Sequence, residues 1–274
     1  MRRPFLLASL GAIALAGSAA MAAEPLPPPV PVFTWTGLYV GGQAGYAWIS
    51  NGNLEFTGFD PFSAFGFSAN VSSSPQGIIG GGHVGYNYQI DQIVVGIEGT
   101  VDGISLATTT PANFSGVFGG TALSASMSSS IQGSIRARLG IAFDRALLYA
   151  TGGVAFGGFS TGYTFTGNNN AIATLNGGNT FTFTNGFSTT RTGWTLGGGI
   201  DYAVTDAWSV FGEYRYTHFG TISNPGIAAA VFSTVTELSG AFLNATRSLN
   251  QNQVQVGFSY KFGAYAPAPL VAKY

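Results

Sequence analysis

The stretch Ile131-Gln132-Gly133-Ser134-Ile135-Arg136-Ala137-Arg138-Leu139-Gly140-Ile141-Ala142-Phe143 decides the fold. Ile131, Ile135, Leu139, Ile141 and Phe143 fall on one parity, and Gln132, Ser134, Arg136 and Arg138 fall on the other. A strand turns successive side chains to opposite faces, so this segment has one apolar and one charged face. Seven further segments repeat the pattern. Leu38, Val40, Ala44, Tyr46 and Trp48 oppose Gly41, Gln43 and Gly45. Ile78, Val84, Tyr86 and Tyr88 oppose His83, Asn87 and Gln89. Ile93, Val95, Ile97 and Val101 oppose Glu98, Thr100 and Asp102. Leu148, Ala150, Val154 and Phe156 oppose Tyr149, Thr151 and Gly153. Trp194, Leu196, Ile200 and Tyr202 oppose Arg191, Thr195 and Asp201. Trp208, Val210, Tyr214 and Tyr216 oppose Ser209, Glu213, Arg215 and Thr217. Val254, Val256, Phe258, Tyr260 and Phe262 oppose Gln253, Gln255, Ser259 and Lys261.

The connections between these eight segments alternate in length. Short turns fall at 89–92, 144–145 and 205–207, and long stretches rich in Gly, Ser, Thr and Asn fall at 51–75, 104–128, 160–190 and 219–248. An even number of strands with short turns at one end and long loops at the other is the plan of outer-membrane barrels. A soluble lipocalin-like barrel would instead turn its apolar face inward around a ligand. Here the polar face holds nearly every charge in the strands: Glu98, Asp102, Arg136, Arg138, Asp201, Glu213, Arg215 and Lys261. Eight strands leave an interior just wide enough for side chains to fill, so charges of both signs can neutralise one another there. The expected fold is therefore all-β, an eight-stranded antiparallel up-and-down transmembrane barrel. It has short periplasmic turns, four long extracellular loops, and aromatics near the strand ends as interfacial girdles.

Composition agrees. Charged residues are 8% of the chain, against about 25% in an ordinary soluble domain. Yet the hydrophobic fraction is 46% and no apolar run after the first residues could form a membrane helix. Aromatics at 14% argue against disorder, and the absence of cysteine excludes both disulfides and a lipoprotein acylation site. Arg2 and Arg3, the apolar run Phe5 to Ala16 and the small residues ending at Ala22-Ala23 form a secretory signal peptide. The expected organisation is signal peptide 1–22, Pro-rich periplasmic lead 23–36, barrel 37–263 and C-terminal extension 264–274. After cleavage eight basic residues face 11 acidic ones, a formal charge of about −3 that excludes a nucleic-acid binder.

These residues carry a resemblance. Phe33-Thr34-Trp35-Thr36-Gly37-Leu38-Tyr39-Val40-Gly41-Gly42 after a Pro-rich lead, Gly85-Tyr86-Asn87-Tyr88-Gln89, Leu148 to Ala155, and the endings Tyr260-Lys261-Phe262-Gly263 and Val271 to Tyr274 resemble the small porin-family outer-membrane barrels of alphaproteobacteria. Those are relatives in architecture of the OmpA transmembrane domain. The resemblance implies an envelope protein supporting outer-membrane integrity and surface contacts, with haemin binding in some relatives. The residues after Phe262 depart from barrels that end on a terminal aromatic.

No enzymatic constellation stands out. Gly77 to Gly85 superficially looks like a phosphate-binding loop, but no helix-forming stretch and no lysine follow. His83 is a lone histidine on the polar face, where metal binding would need a cluster, and neither it nor His218 has a serine on its own strand face within two residues. His218 is expected to join the outer girdle. No catalytic, metal-binding or cofactor-binding residue is assigned. The site residues are the lumen charges: His83, Glu98, Asp102, Arg136, Arg138, Asp201, Glu213, Arg215 and Lys261. A turn centred between Ile90 and Asp91 would set His83 opposite Glu98, with Arg136 and Arg138 at about the height of Glu98 and Glu213 and Arg215 across the barrel. The expected partners are outer-membrane lipids, lipopolysaccharide and the barrel-assembly machinery, with the long loops as the place for a surface ligand. The alternatives are a surface receptor, with haemin as the resemblance's suggestion, and a narrow channel for small solutes.

Overall fold

The computed structural model of the protein describes residues 33–50, 53–60, 65–116, 119–168, 180–232 and 238–263. The expected signal peptide, the lead segment up to residue 32 and the C-terminal extension lie outside them. The described elements are all strands: β1 (Gly37–Ser50), β2 (Leu54–Asp60), β3 (Phe65–Val71), β4 (Gln76–Ile90), β5 (Ile93–Gly116), β6 (Gly119–Phe143), β7 (Ala146–Asn168), β8 (Thr180–Ala203), β9 (Trp208–Phe232) and β10 (Leu238–Lys261). Eight of them, β1 and β4 to β10, pair in antiparallel sequence, and β1 pairs with β10 to close the ring. The first long connection adds an unexpected hairpin, β2 and β3, which pairs on β10 beyond the end of β1.

The short turns follow from their sequences. Asp91 and Asp144 adopt φ of 53°, the left-handed region that Asp tolerates, so two-residue turns reverse the chain there. At the third turn Thr205 Oγ1 accepts from the Trp208 amide at 2.9 Å and the Ala207 amide at 3.3 Å. Because the first turn is Asp91-Gln92, Ile90 pairs with Ile93, and the register expected from a centre one residue earlier is corrected. His83 lies opposite Thr100, and Glu98 lies opposite Gly85.

The long connections are largely strand. β6 and β9 run for 25 residues, about 80 Å along the strand, where about 9–11 residues suffice to cross a bilayer. Above the membrane the wall parts. β8 and β9 pair only from Trp194 and His218 down to Ala203 and Ser209. β8 nevertheless continues against β7 to Thr180, and β9 against β10 to Phe232.

Through the membrane zone the apolar parity faces outward. Ile131, Ile135 and Leu139 are between 54% and 59% exposed while Arg136 beside them is 1% exposed. Such a surface would be untenable in water and is the expected one against lipid. Trp208 meets Tyr260 at 5.1 Å between ring centroids on the short-turn side, and Trp194 meets Tyr216 at 5.4 Å and His218 at 5.7 Å on the long-loop side. The ten residue steps from Trp208 to His218 span about 34 Å of strand, which after tilting matches an apolar band of about 25 Å.

Candidate functional site: the lumen

The lumen is filled in layers. At the periplasmic end Trp35 is buried with Val94, Ala142, Leu147, Tyr149 and Ala203. Its amide donates to Gln89 Oε1 at 2.8 Å and its indole Nε1 to the Asp144 carbonyl at 3.3 Å. Phe33 packs edge-on against it at 5.2 Å. The end of the lead segment is thus tied across the mouth of the barrel.

Above it lies the charged layer. β5, β6, β8 and β9 contribute Glu98 and Asp102, Arg136 and Arg138, Asp201, and Glu213 and Arg215, each buried by the inward parity of its strand. Arg136 stands directly across from Glu98 in the register. It ion-pairs with Glu98 on one side, and its Nη1 reaches Glu213 Oε1 at 2.6 Å on the other. Arg138 binds Asp201 at 3.0 Å and lies 3.8 Å from Glu98. Arg215 binds Glu213 at 2.8 Å and lies 3.9 Å from Asp102. Seven of the nine expected lumen charges therefore meet in one connected network of four carboxylates and three guanidinium groups.

His83 joins this network at one remove. Its Nδ1 is 2.6 Å from Gln43 Oε1, and Gln43 Nε2 donates to Asp102 Oδ1 at 2.7 Å. Since the amide oxygen can only accept, the His83 Nδ1 carries the proton. Its Nε2 then faces Ser259 Oγ at 2.9 Å. A serine does stand beside His83 after all, brought by β10 across β1, which spacing along a single strand face could not reveal.

Lys261 does not join the network. It is only half-buried, its Nζ donates to the Thr34 carbonyl, and it lies 4.3 Å over the Phe33 ring, because β10 ends there at the periplasmic mouth. In its place the structure recruits two tyrosines. Tyr39 OH donates to Glu98 Oε2 at 2.8 Å, and Tyr149 OH to Glu213 Oε2 at 3.1 Å. Arg138 sits 3.7 Å over the Tyr149 ring. The parity that carries Gln43 and Gly41 inward extends to Tyr39 and was the signal available for it. Gly85, facing Glu98, leaves the space that the Tyr39 ring occupies, which a Cβ would fill.

Asn87, Arg138, Asp201 and Ser259 border a cavity of about 20 Å³, room for about one water molecule. Asn87 Oδ1, Asp201 Oδ1 and Arg138 Nε, on three of these residues, are buried without a partner among the described residues. Toward the outside comes an amide layer, where Gln132 and Gln251 exchange hydrogen bonds at 2.6 and 2.9 Å. Above it the interior turns apolar, with Ile49, Ile79, Leu106, Met127, Phe159, Phe219 and Leu249 packed together. Among the described residues no group of three His, Cys, Asp or Glu side chains could hold a metal ion.

The family model and the relatives agree with this architecture. The family model described as "Outer membrane protein beta-barrel domain" matches residues 8–262. The 31 kDa outer-membrane immunogenic protein of Brucella melitensis is 31% identical over 269 residues, covering 94% of this chain and 98% of the relative. The 22 kDa outer membrane protein of Rhizobium leguminosarum is 27% identical, covering 86% of this chain and 82% of the relative. The crystal structure of outer membrane protein OprG from Pseudomonas aeruginosa aligns with 83% of this chain and 96% of its own at 12% identity, with a TM-score of 0.42.

Proposed function

Since the chain belongs to the outer-membrane β-barrel protein family, we propose that it is a structural barrel of that membrane whose lumen is closed to solutes and whose projecting strands serve surface contacts. The observation that carries the reading is Arg136, 1% exposed and held between Glu98 on β5 and Glu213 on β9. A guanidinium bridging opposite walls supports a lumen closed at its height. Opening a path there would break a buried charge network, at a cost of about 3 to 5 kcal/mol for one partner alone. The apolar outer wall is the surface for lipid and lipopolysaccharide.

The barrel is read as non-enzymatic. Ser259, His83 and Gln43 have the connectivity of a nucleophile, a base and an orienting group. Acyl transfer also needs room for the carbonyl and donors for its oxyanion, and Ser259 faces a cavity the size of one water. Two experiments test the proposal. In planar bilayers with concentrated potassium chloride, the refolded protein is expected to give no discrete conductance steps, and a fluorophosphonate probe is expected to leave Ser259 unlabelled. Sustained open-channel steps would overturn the closed lumen, and stoichiometric Ser259 labelling the non-enzymatic assignment.

A further inference from the structure

Arg247 has no use in the lumen network. It points inward from β10, 5% exposed, on the outer side of the apolar layer formed by Leu249, Ile222, Phe219 and Phe159. Its Nη2 donates to Ser73 Oγ at 3.0 Å, its Nε has no partner, and among the described residues no carboxylate pairs with it. Ser73, itself buried, also accepts a hydrogen bond from Thr110 Oγ1 at 3.0 Å, so its own hydroxyl proton is left to donate. Arg191 on β8 is only half-buried, but its Nε is shielded from solvent without a partner, and among the described residues no carboxylate pairs with it.

The two arginines share a place in the fold. Arg247 pairs in register with Ile222 of β9. Arg191 lies three residues beyond Trp194, where β8 stops pairing with β9. They therefore stand on the strands to either side of β9 at the start of the open seam. Among the described residues the four buried carboxylates are all below the apolar layer, where three guanidinium groups already engage them. A guanidinium taken out of water and met, among the described residues, by neutral groups carries a large desolvation penalty unless an anion meets it. Its fork of parallel N–H donors fits a carboxylate or phosphate better than a spherical ion.

We infer that the outer half of the lumen holds a binding site for a small dissolved oxyanion of the phosphate or carboxylate class. The anion enters from the cell exterior along the seam between β8 and β9. Arg247 and the Ser73 hydroxyl are its main ligands, and Arg191 supplies the second positive charge. The site lies outside the charged layer, and binding there stands independently of the conductance reading.

The test uses the full mature chain refolded in uncharged detergent, with inorganic phosphate or acetate exchanged for chloride at constant ionic strength and the unfolding midpoint as readout. Both anions are expected to raise the midpoint saturably, phosphate at lower concentration. Arg247→Gln is expected to weaken the apparent phosphate affinity at least tenfold, and Arg191→Gln less. Arg145→Gln, at an exposed periplasmic turn, should leave it unchanged. Ser73→Ala keeps both charges and removes one donor; it is expected to weaken phosphate several-fold even if Arg247→Gln does not refold. Equal phosphate responses in the wild type and Ser73→Ala would overturn the proposal. So would a saturable response to lipopolysaccharide micelles with none to dissolved phosphate, which would put the anion on the outer wall.

Discussion

Removing Glu98 and Arg136 separately and together measures the charged layer directly. Glu98→Ala deletes the ion pair with Arg136, the 2.8 Å bond from Tyr39 and the 3.8 Å approach of Arg138. Arg136 keeps Glu213 at 2.6 Å and Thr151 at 3.1 Å, and Arg138 keeps Asp201 at 3.0 Å. No cation is stranded, so the loss falls at the low end of the range for breaking a buried pair, about 3 kcal/mol. Arg136→Ala is worse. It leaves four buried carboxylates to two guanidinium groups, so a loss of about 4 to 5 kcal/mol is expected. With Glu98 already absent, the same arginine removal leaves three carboxylates to two, and its cost should fall by about 1 to 3 kcal/mol, the usual size of coupling between groups in contact. Urea unfolding of the four proteins in phospholipid vesicles, followed by tryptophan fluorescence, reads these values. Additivity to within about 0.5 kcal/mol would refute the coupled network. An Arg136→Ala cost below that of Glu98→Ala would refute the excess of negative charge in the layer.

Three further outcomes are expected. Gly85→Ala should lower stability by about 1 to 3 kcal/mol in the same unfolding assay, since the new methyl overpacks the Tyr39 ring that reaches Glu98. Trp35→Ala should cost about 3 to 5 kcal/mol by emptying the apolar cluster at the periplasmic mouth; an unchanged midpoint would show that the lead segment is not part of the fold. Because the sequence contains no cysteine, single-cysteine labelling is clean. A membrane-impermeant maleimide applied to whole cells should label Ser126→Cys and Ser128→Cys and leave Met127→Cys, whose parent residue is 2% exposed, unlabelled.

The ring of eight was legible because each strand of the membrane zone obeys one solvent rule over its whole crossing, and the alternation from Ile131 to Phe143 admits no other face assignment. The charged layer was legible for the same reason: parity alone turns Glu98, Arg136, Asp201 and Glu213 to one side. What parity cannot supply is axial register. A turn centre misplaced by one residue moves one strand by two against the next, which is why His83 was expected beside Glu98 and lies beside Thr100. Nor can it supply neighbours from strands that are not consecutive, and so Ser259 beside His83 and Thr34 beneath Lys261 were hidden.

The extended strands and the apolar upper interior were hidden for a deeper reason, which is that the solvent changes along the strand. Within the bilayer the stable arrangement is apolar outside and charged inside; above it water lies outside, and the arrangement must invert. On β6 the inversion is made by one irregularity. Between Ser129 and Gln132 the pairing with β7 shifts, and an extra residue in one strand moves every later side chain to the other face. Below the shift Ile131 and Ile135 face lipid and Gln132 faces the lumen; above it Ser126 and Ser128 face out and Met127 faces in. Opposite Ser248 to Asn250 of β10, β9 takes the extra residue at Gly220, φ 79°, so Ile222 turns inward on the parity that faced lipid below, while β10 keeps its parity and exchanges Gln251 for Leu249 in the same apolar layer. β1 inverts without a shift, by exchanging Gln43 for Ala47 and Ile49 on its inner face. A single period-two rule carried through such strands reports the last third as patternless loop, because Gly, Ser and Thr on a water-facing wall look like loop composition. The apolar residues that mark the inversion are thinly spaced: Met127 sits on the parity that faces lipid lower on its strand, while Phe159 and Leu249 sit on the parity that carries polar lumen residues lower on theirs.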